Sequence, residues 1–375
     1  MTETIQVKPF REYDELICQL TDRGMLIKDP LRAQRKLTQV GYYRLSGYWH
    51  TSRKFKNVDG KIKHENVFQK NTYFENIFEF YLFDKMLRIE LTNALERIEI
   101  YLRTIIAHEI GRLSPLAYLD KKQFSKNAFK ADAKISYSSW LERQNRLIRE
   151  SKEESIEDHR KKGKPVPIWV AAEAWDFGAL SKFYSILKGS NQDLICERLG
   201  LDNRKELDNW LINLNGIRNR CAHHSRLSNR RNPRTILIPR QGFFNLLSLG
   251  QSEKNKFYSI IIIIWFLLKK IGPSSTWICR IADLIDNKPQ IPGFKYKSMG
   301  FPDTGFPRKL FPETNISIVE KNPIEKLEDS SATLRAAISQ IDTEKLCPDS
   351  ISRLTKLIDD IVDSAEKIDE LCSET

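Results

Sequence analysis

The chain has 375 residues, enough for two or three domains with a large apolar core, so a small scaffold held together by disulfides or metal is excluded. Its 61 lysines and arginines outnumber 49 aspartates and glutamates, and the net charge of +12 leaves polyanions open as partners. With 41% hydrophobic residues, the composition excludes a mainly disordered acidic protein. Glycine (16) and proline (15) are scarce, which favours a mainly α-helical fold.

The cysteine and hydrophobicity patterns predict a cytoplasmic protein without a membrane span. The six cysteines lie far apart and include no Cys-x-x-Cys pair, as expected of reduced thiols. Residues 1–10 lack the apolar segment of a secretory signal. The longest apolar run, residues 257–268, is shorter than the roughly 20 residues needed to cross a bilayer, so it predicts a buried helix.

Residues 1–70 are predicted to form a small basic unit of two short helices and a hairpin, with a net charge of +6. Tyr42, Tyr43 and Arg44 in this unit are candidate RNA-binding residues. Aromatic rings stack on unpaired bases, and arginine binds phosphate. Alternatively, the aromatic side chains form the core of the unit.

Residues 71–312 are predicted to form a helical bundle. Residues 74–110 contain no glycine or proline and carry apolar residues at helical spacing, which predicts one long helix or two in tandem. The charge-dense segment 150–167 predicts an exposed insertion, a loop or linker within this domain. The pattern predicts further helices over residues 137–149, 168–187, 193–199, 204–224, 257–271 and 276–286.

Residues 313–375 are predicted to be an acidic helical tail. From residue 315 onward there are 14 acidic and seven basic residues, a net charge of −7, which leaves +19 for residues 1–314. Such a tail can screen a basic RNA-binding channel or bind a partner, or it can simply be a solvated helical surface.

Residues 218–231 concentrate groups suited to chemistry on phosphate at the predicted end of a helix. Histidine can accept and donate a proton near neutral pH, and arginine offers a planar fork to phosphate. RNA cleavage without metal needs a base for the 2′-hydroxyl, an acid for the leaving 5′-oxygen and a cation for the developing charge. The candidate catalytic residues are Arg218, Asn219 and His223; the accessory candidate is His224, and the candidate RNA-binding residues are Arg220, Arg226, Arg230 and Arg231.

The spacing within this segment constrains how it can act. Arg218 and His223 stand about 140° apart on an ideal helix, whereas Asn219 and His223 share a face. A bend, or a two-fold dimer bringing two copies together, would place two histidines and two arginines around one phosphate. Alternatively, His223 and His224 interact with carbonyl groups at a helix C-terminus.

A second arginine lies five residues before a histidine in the pair Arg103 and His108. Glu99, four residues before Arg103, favours an intrahelical ion pair, and His108 is predicted to lie on the apolar face of the long helix. The pair is therefore expected to be mainly structural, and its two residues are only candidate accessory residues.

A metal site made of Cys221, His223 and His224 is disfavoured. Adjacent histidines on one helix point about 100° apart, and no other cysteine or histidine cluster lies nearby in the sequence. We therefore expect no metal and no other cofactor.

The string Arg218-Asn219-Arg-Cys-Ala-His223 resembles the R-N-x-x-x-H motif of the HEPN ribonucleases, in the version carried by Abi-type abortive-infection proteins of bacteria. The resemblance covers about residues 5–312 and implies an all-helical HEPN domain. It also implies metal-independent endoribonuclease activity, leaving 2′,3′-cyclic phosphate and 5′-hydroxyl ends, and use in phage defence by growth arrest. The other segments that carry it are Lys8-Pro-Phe, Gly41-Tyr-Tyr-Arg-Leu-Ser-Gly-Tyr48, Ile168-Trp-Val-Ala-Ala-Glu-Ala-Trp-Asp-Phe-Gly-Ala-Leu180 and Met299-Gly-Phe-Pro302.

The resemblance assigns roles to the motif residues. Arg218 would stabilise the transferring phosphate, Asn219 would orient the motif and His223 would be the general acid or base; His224 would assist or only pack. A structured small RNA as a bound partner is also implied. The leading hypothesis is thus a homodimeric ribonuclease toxin acting on cellular RNA, and the alternative is a non-catalytic RNA-binding scaffold of a small-RNA ribonucleoprotein.

Overall fold

The computed structural model describes residues 8–247 and 249–315. Over these residues the chain is mainly helical with one two-stranded sheet, which confirms the predicted fold class. No helix within this part of the chain is long and apolar enough to cross a membrane. The predicted helices of the acidic tail lie outside the described residues, apart from its first residues 313–315.

The helices and strands follow one another along the chain with short connections. The N-terminal part contains α1 (Tyr13–Asp22), α2 (Pro30–Val40), α3 (Tyr42–Trp49), β1 (Arg53–Val58) and β2 (Lys61–Phe68). The bundle contains α4 (Phe74–Gly111), α5 (Tyr137–Glu150), α6 (Glu154–Lys161), α7 (Ile168–Ala171), α8 (Phe177–Ile186), α9 (Gly189–Leu199), α10 (Arg204–Ala222), α11 (Phe257–Ile271), α12 (Trp277–Asp286) and α13 (Tyr296–Met299).

The 38-residue helix α4 organises the fold. It is one continuous helix, and α3, α10, α11 and α12 all pack against it. Its buried side chains recur along its whole length, including Phe80, Leu87, Leu95 and Ile106. Because α4 contacts neighbours on several sides, it supplies a rigid support for the elements that carry the motif.

Helix α11 is the predicted buried helix. Its five consecutive isoleucines, Ile260–Ile264, are each fully buried. A helix that is apolar on most of its circumference belongs in the centre of a bundle, where every side finds an apolar neighbour.

The N-terminal part differs from its prediction by one helix. Residues 42–49, expected only as an aromatic stretch, form α3, whose Tyr48 and Trp49 are buried. The hairpin is present, since β1 and β2 pair antiparallel. Because α3 packs on α4, these elements and the bundle belong to one compact unit that extends to Thr314.

Two predicted segments differ in kind from the structure. The helix expected over 168–187 is interrupted: Asp176 starts α8 as its N-cap, accepting a hydrogen bond from Ala179 N at 2.7 Å. Trp175 before it is extended. The helical spacing of apolar residues continues across this interruption, so the sequence pattern conceals it. The charged segment 150–167 is also more than a loop, because it contains α6, anchored by the buried Ile156.

Candidate active site

The motif occupies the C-terminal end of α10, where the backbone turns sharply. His223 caps the helix, and His224 has a left-handed φ of +53°. Ser225 N donates to Arg220 O at 2.8 Å and His224 N donates to Cys221 O at 3.0 Å. These two bonds form a Schellman motif, which usually has glycine at the left-handed position. The chain therefore bends directly after His223.

The imidazoles of His223 and His224 are exposed. Within residues 8–247 and 249–315, neither ring has a hydrogen-bond partner, so backbone groups rather than rings cap the helix. Arg44 Nη1 donates to His224 O at 2.9 Å. The structure thus brings α3 to the motif, 180 residues away in sequence.

Glu99 of α4 lies between two arginines, one from each Arg-x-x-x-x-His pair. Its Oε1 is 3.1 Å from Arg103 Nη2, and its Oε2 is 3.8 Å from Arg218 Nε. Burial raises the pKa of the Glu99 carboxyl, and the two arginines act in the opposite direction. Arg103 also donates to Trp175 O at 3.1 Å. The buried carboxylate therefore gathers both arginines at the α4–α10 junction.

Arg218 separates two concavities. One, of about 450 Å³, lies towards α4 and includes Glu99, Ile100 and Arg103 in its lining. The other, of about 260 Å³, lies towards the start of α8, and Asn219 lines it together with Arg218. The guanidinium can thus contact an anion in either space, and its only partner among the described residues is Glu99.

His108 does not lie on the apolar face of α4, where it was predicted. Its side chain is 58% exposed, and its Nδ1 is 3.1 Å from Glu109 Oε1. It lines a concavity of about 520 Å³ together with Arg103 and Trp169. The prediction of an apolar-face histidine is wrong because this concavity leaves its side of α4 open.

A buried polar network holds the segment that follows the motif. Leu227 N and Ser228 N donate to Asp84 Oδ1 at 3.1 and 2.8 Å. Tyr48 donates to Asp84 Oδ2 at 3.0 Å, and Arg88 pairs with the same carboxylate. Burial raises the pKa of the Tyr48 hydroxyl. This network ties α3, α4 and the segment after the motif together, since the Asp84 carboxylate binds groups from all three.

Three arginines cluster beside the motif. Burial lowers the pKa of Arg220 and of Arg226, and the charge of Arg230 lowers both further. The Nη1 atom of Arg226 is buried and has no hydrogen-bond partner in the described part of the chain. Arg230 and Arg231 are exposed. Mutual repulsion and incomplete pairing favour an anion at this cluster.

The aromatic candidates of the N-terminal unit divide into two kinds. The Tyr42 ring lies 5.1 Å from that of Trp49, and its hydroxyl accepts a hydrogen bond from Arg23 and contacts Gln19. Tyr42 is therefore packed within the unit. Tyr43 is 73% exposed, so its ring is accessible to a base.

Cys221 is buried within the core, whereas the two histidines after it are exposed. Burial raises the pKa of its thiol to about 11, so at neutral pH it is not a thiolate nucleophile or ligand. Among the residues that the structure describes, no group of three or more His, Cys, Asp or Glu side chains is arranged to hold a metal ion.

The sequence did not reveal that Arg143 of α5, Asp176 and Lys182 of α8 line the same concavity as Arg218. Asp176 Oδ2 forms an ion pair with Arg143 Nη2 at 2.5 Å. The one available signal was Asp176 itself, an N-cap residue type inside the recognised segment 168–180.

The model of the family described as Abi-like protein matches residues 35–229, just over half of the chain. The chain belongs to the Abi-like family. This Abi-like protein therefore has a role in phage defence by abortive infection. The match includes segments 41–48 and 168–180 and the motif, whereas residues 8–10 and 299–302 lie outside it. Comparison with curated proteins gives no match, and neither does comparison with solved structures.

Proposed function

We propose that this Abi-like protein is a HEPN-type endoribonuclease that cleaves RNA without a metal ion and arrests growth as a toxin. The observation that carries this proposal is the arrangement of side chains at the end of α10. There an exposed imidazole, His223, follows one turn after Arg218 and Asn219, which line a concavity open to an anion. Arg103 supplies a second guanidinium on the other side of Glu99.

The reaction needs only groups of this kind. One imidazole takes the 2′-hydroxyl proton while O2′ attacks the adjacent phosphorus. The P–O5′ bond breaks, and a protonated imidazole gives its proton to O5′. Arg218 stabilises the charge on the pentacovalent phosphorus through its planar fork. The products are a 2′,3′-cyclic phosphate and a 5′-hydroxyl end.

A homodimer supplies the second imidazole in this proposal, from a second copy of His223. An exposed apolar stripe on α4 supports it. Leu82, Met86, Ile89 and Ile100 are each at least 41% exposed and fall within an arc of about 60° at 100° per residue. Ile100 also lines the concavity that contains Arg218. Pairing two such stripes would bury apolar surface beside both motifs.

A structured small RNA is the proposed regulatory partner. The cluster of Arg220, Arg226 and Arg230 supports such a contact because its charges are incompletely paired. Exposed Tyr43, next to the Arg44 that contacts the motif, offers a ring for base stacking. Both features lie beside the end of α10 rather than in the concavities around Arg218.

The test compares Arg218 and His223 of the motif with His108, the histidine of the other Arg-x-x-x-x-His pair. Purified Arg218→Ala and His223→Ala should each lose at least ~100-fold in RNA cleavage, because each removes a group that acts on the transition state. His108→Ala removes an exposed histidine five residues after an arginine from the other pair, and should retain cleavage. The readout is the appearance of cyclic-phosphate ends, with circular dichroism to check the fold.

The three variants separate the possibilities. Full cleavage by both motif variants would contradict the nuclease proposal. Loss of cleavage in His108→Ala would place the second imidazole within the same chain, on α4. If wild-type protein binds structured RNA with steep salt dependence but never yields cyclic-phosphate ends, it is an RNA-binding scaffold instead.

A further inference from the structure

A basic groove between α5 and α8 leads to the motif. One concavity of about 520 Å³ is lined by Arg143, Arg146 and Arg149 of α5 and Lys182 of α8, among others. It shares Arg143 and Lys182 with the concavity that contains Arg218. The two spaces are therefore neighbours, and together they form a path from Arg149 to Arg218, which we name the α5–α8 groove.

The groove carries a surplus of unpaired positive charge. Arg143 pairs with Asp176 at 2.5 Å. Within the described residues, Arg146, Arg149 and Lys182 have no ion-pair partner. Glu142 and Asp176 are the acidic residues in the combined lining. The groove thus presents more cations than it can neutralise internally, which favours a polyanion.

The walls of the groove are held in place. Trp140 Nε1 of α5 donates to Ala179 O of α8 at 3.2 Å, and the Trp140 indole is fully buried. Asp176 caps α8 and pairs with α5 through its other carboxylate oxygen. A Cβ atom on Gly178 would lie 3.3 Å from Asp176 Oδ1 and 3.6 Å from Arg143 Nη2. The absence of a side chain at Gly178 therefore leaves space beside this ion pair.

The dimensions suit a nucleic-acid strand. Arg143, Arg146 and Arg149 are spaced three residues apart and span about 9 Å of the α5 axis at 1.5 Å per residue. Three guanidinium groups along this length can contact neighbouring phosphates of one extended strand. Arginine forks bind phosphate through two parallel hydrogen bonds, and the path ends at the motif whose chemistry is on phosphate.

We propose that the α5–α8 groove binds the phosphate backbone of the single RNA strand whose next phosphate is attacked at Arg218. This inference rests on the proposed nuclease function for the identity of the ligand. The groove is then a substrate-binding site, and Arg146 and Arg149 determine affinity for RNA without taking part in the chemical step.

The test uses an RNA that cannot be cut. A fluorescein-labelled 12-nucleotide strand with 2′-O-methyl groups lacks the attacking hydroxyl, so the active full-length chain can be titrated by fluorescence anisotropy. Arg146→Ala/Arg149→Ala should bind about 20-fold more weakly at 0.1 M salt, and its salt slope should fall by about 1.4, because each lost phosphate contact removes about 0.7 from the slope. The two proteins should converge near 1 M salt.

Two variants serve as controls. Arg32→Ala/Arg35→Ala removes two exposed arginines three residues apart on α2, which line neither concavity, and should bind like wild type. Arg146→Lys/Arg149→Lys keeps both charges and should retain the wild-type salt slope. Equal loss in the groove and control variants would overturn the inference, since it would show non-specific charge attraction. Unchanged binding by the groove variant would overturn it as well.

The outcomes distinguish this inference from the nuclease proposal. If wild-type protein yields cyclic-phosphate ends but the groove variant binds the uncleavable strand normally, the nuclease proposal stands and the groove inference fails. If no protein yields cyclic-phosphate ends but the groove variant alone loses binding, the nuclease proposal fails and the groove stands only as a binding site for an RNA strand. If wild-type protein does not bind the uncleavable strand, and the groove variant alone loses affinity for an acidic peptide, the groove is a protein-binding site and the inference is overturned.

Discussion

His224 occupies a position where the backbone favours glycine. Its φ of +53° places it at the left-handed residue of the Schellman motif that ends α10. A non-glycine residue there is destabilising by about 1 kcal/mol. Arg44 binds its carbonyl oxygen and so stabilises the turn. The strained turn directs the chain away from the helix axis immediately after His223, which leaves that imidazole at an open edge.

Glu99 gives a pH-dependent prediction at the same scale. Burial raises its pKa in the folded chain above its value in the unfolded chain, so the folded state binds the proton more tightly. As pH rises above about 4.5 through the folded pKa, the free energy of unfolding of wild type should therefore fall. Glu99→Gln removes the titrating carboxyl, so its free energy of unfolding should lack this part of the pH dependence.

The measurement is urea unfolding of wild type and Glu99→Gln from pH 4 to pH 8. The difference between the two proteins cancels the other titrating groups, provided that their pKa values do not change. A difference that stays constant over this range would contradict the assignment of a raised pKa to Glu99.

Helix α10 shows at the element scale how the motif is positioned. One face of it binds the segment after the motif through polar side chains. Asn209 Nδ2 donates to Thr235 O at 3.0 Å, and Trp210 Nε1 donates to Leu237 O at 2.7 Å. The other face carries Arg218 towards α4 and α8. The helix is therefore fixed on one side and functional on the other.

Gly216 tests this close packing. A Cβ atom on Gly216 would lie 2.4 Å from Pro233 Cγ, so Gly216→Ala should lower the free energy of unfolding by about 1–3 kcal/mol despite the higher helix propensity of alanine. Gly47→Ala is the matched control within α3, where no atom of the described residues lies within 4 Å of the added Cβ. It should raise stability by about 0.5–1 kcal/mol. Thermal unfolding of both variants checks the opposite signs; two shifts of the same sign would contradict the packing.

Element by element, the sequence predicted what depends on local pattern. The spacing and runs of apolar residues anticipated α4 and α11, because the apolar side chains that form these patterns are mostly the ones buried in the fold. It failed at Trp175–Asp176, where the interruption depends on Arg103 and Arg143, residues distant in sequence that bind Trp175 O and the Asp176 carboxylate. Apolar periodicity carries no information about such partners.

The proposed homodimer gives a prediction for the whole molecule. Met86→Glu/Ile89→Glu places two carboxylates on the exposed stripe of α4 and should weaken the dimer by about 100-fold or more, because the interface would bury unpaired charge. Cleavage should fall with the dimer population although Arg218 and His223 are intact. Leu31→Glu, at an exposed leucine of α2, should leave both unchanged. Sedimentation velocity and cleavage assays check this; a fully active monomer would contradict it.

The distribution of the positive charge over the surface is determined only when the chain folds. The net charge of +12 and the surplus of +19 before residue 315 are sequence facts that indicate a polyanion partner. They do not locate it. Folding collects Arg143, Arg146, Arg149 and Lys182 into one groove. Within the same part of the chain, other cations are neutralised by ion pairs, as Arg88 is by Asp84.

The sequence by itself determined the helical fold class, helices α4 and α11 and the residues of the motif, because these depend on neighbours a few positions apart. Only the tertiary structure decided which groups surround Arg218, that His108 faces an open concavity and that Tyr42 is packed while Tyr43 is accessible. Those properties depend on contacts between residues tens to hundreds of positions apart. Such contacts form when burial of the α4 and α11 surfaces draws the elements together.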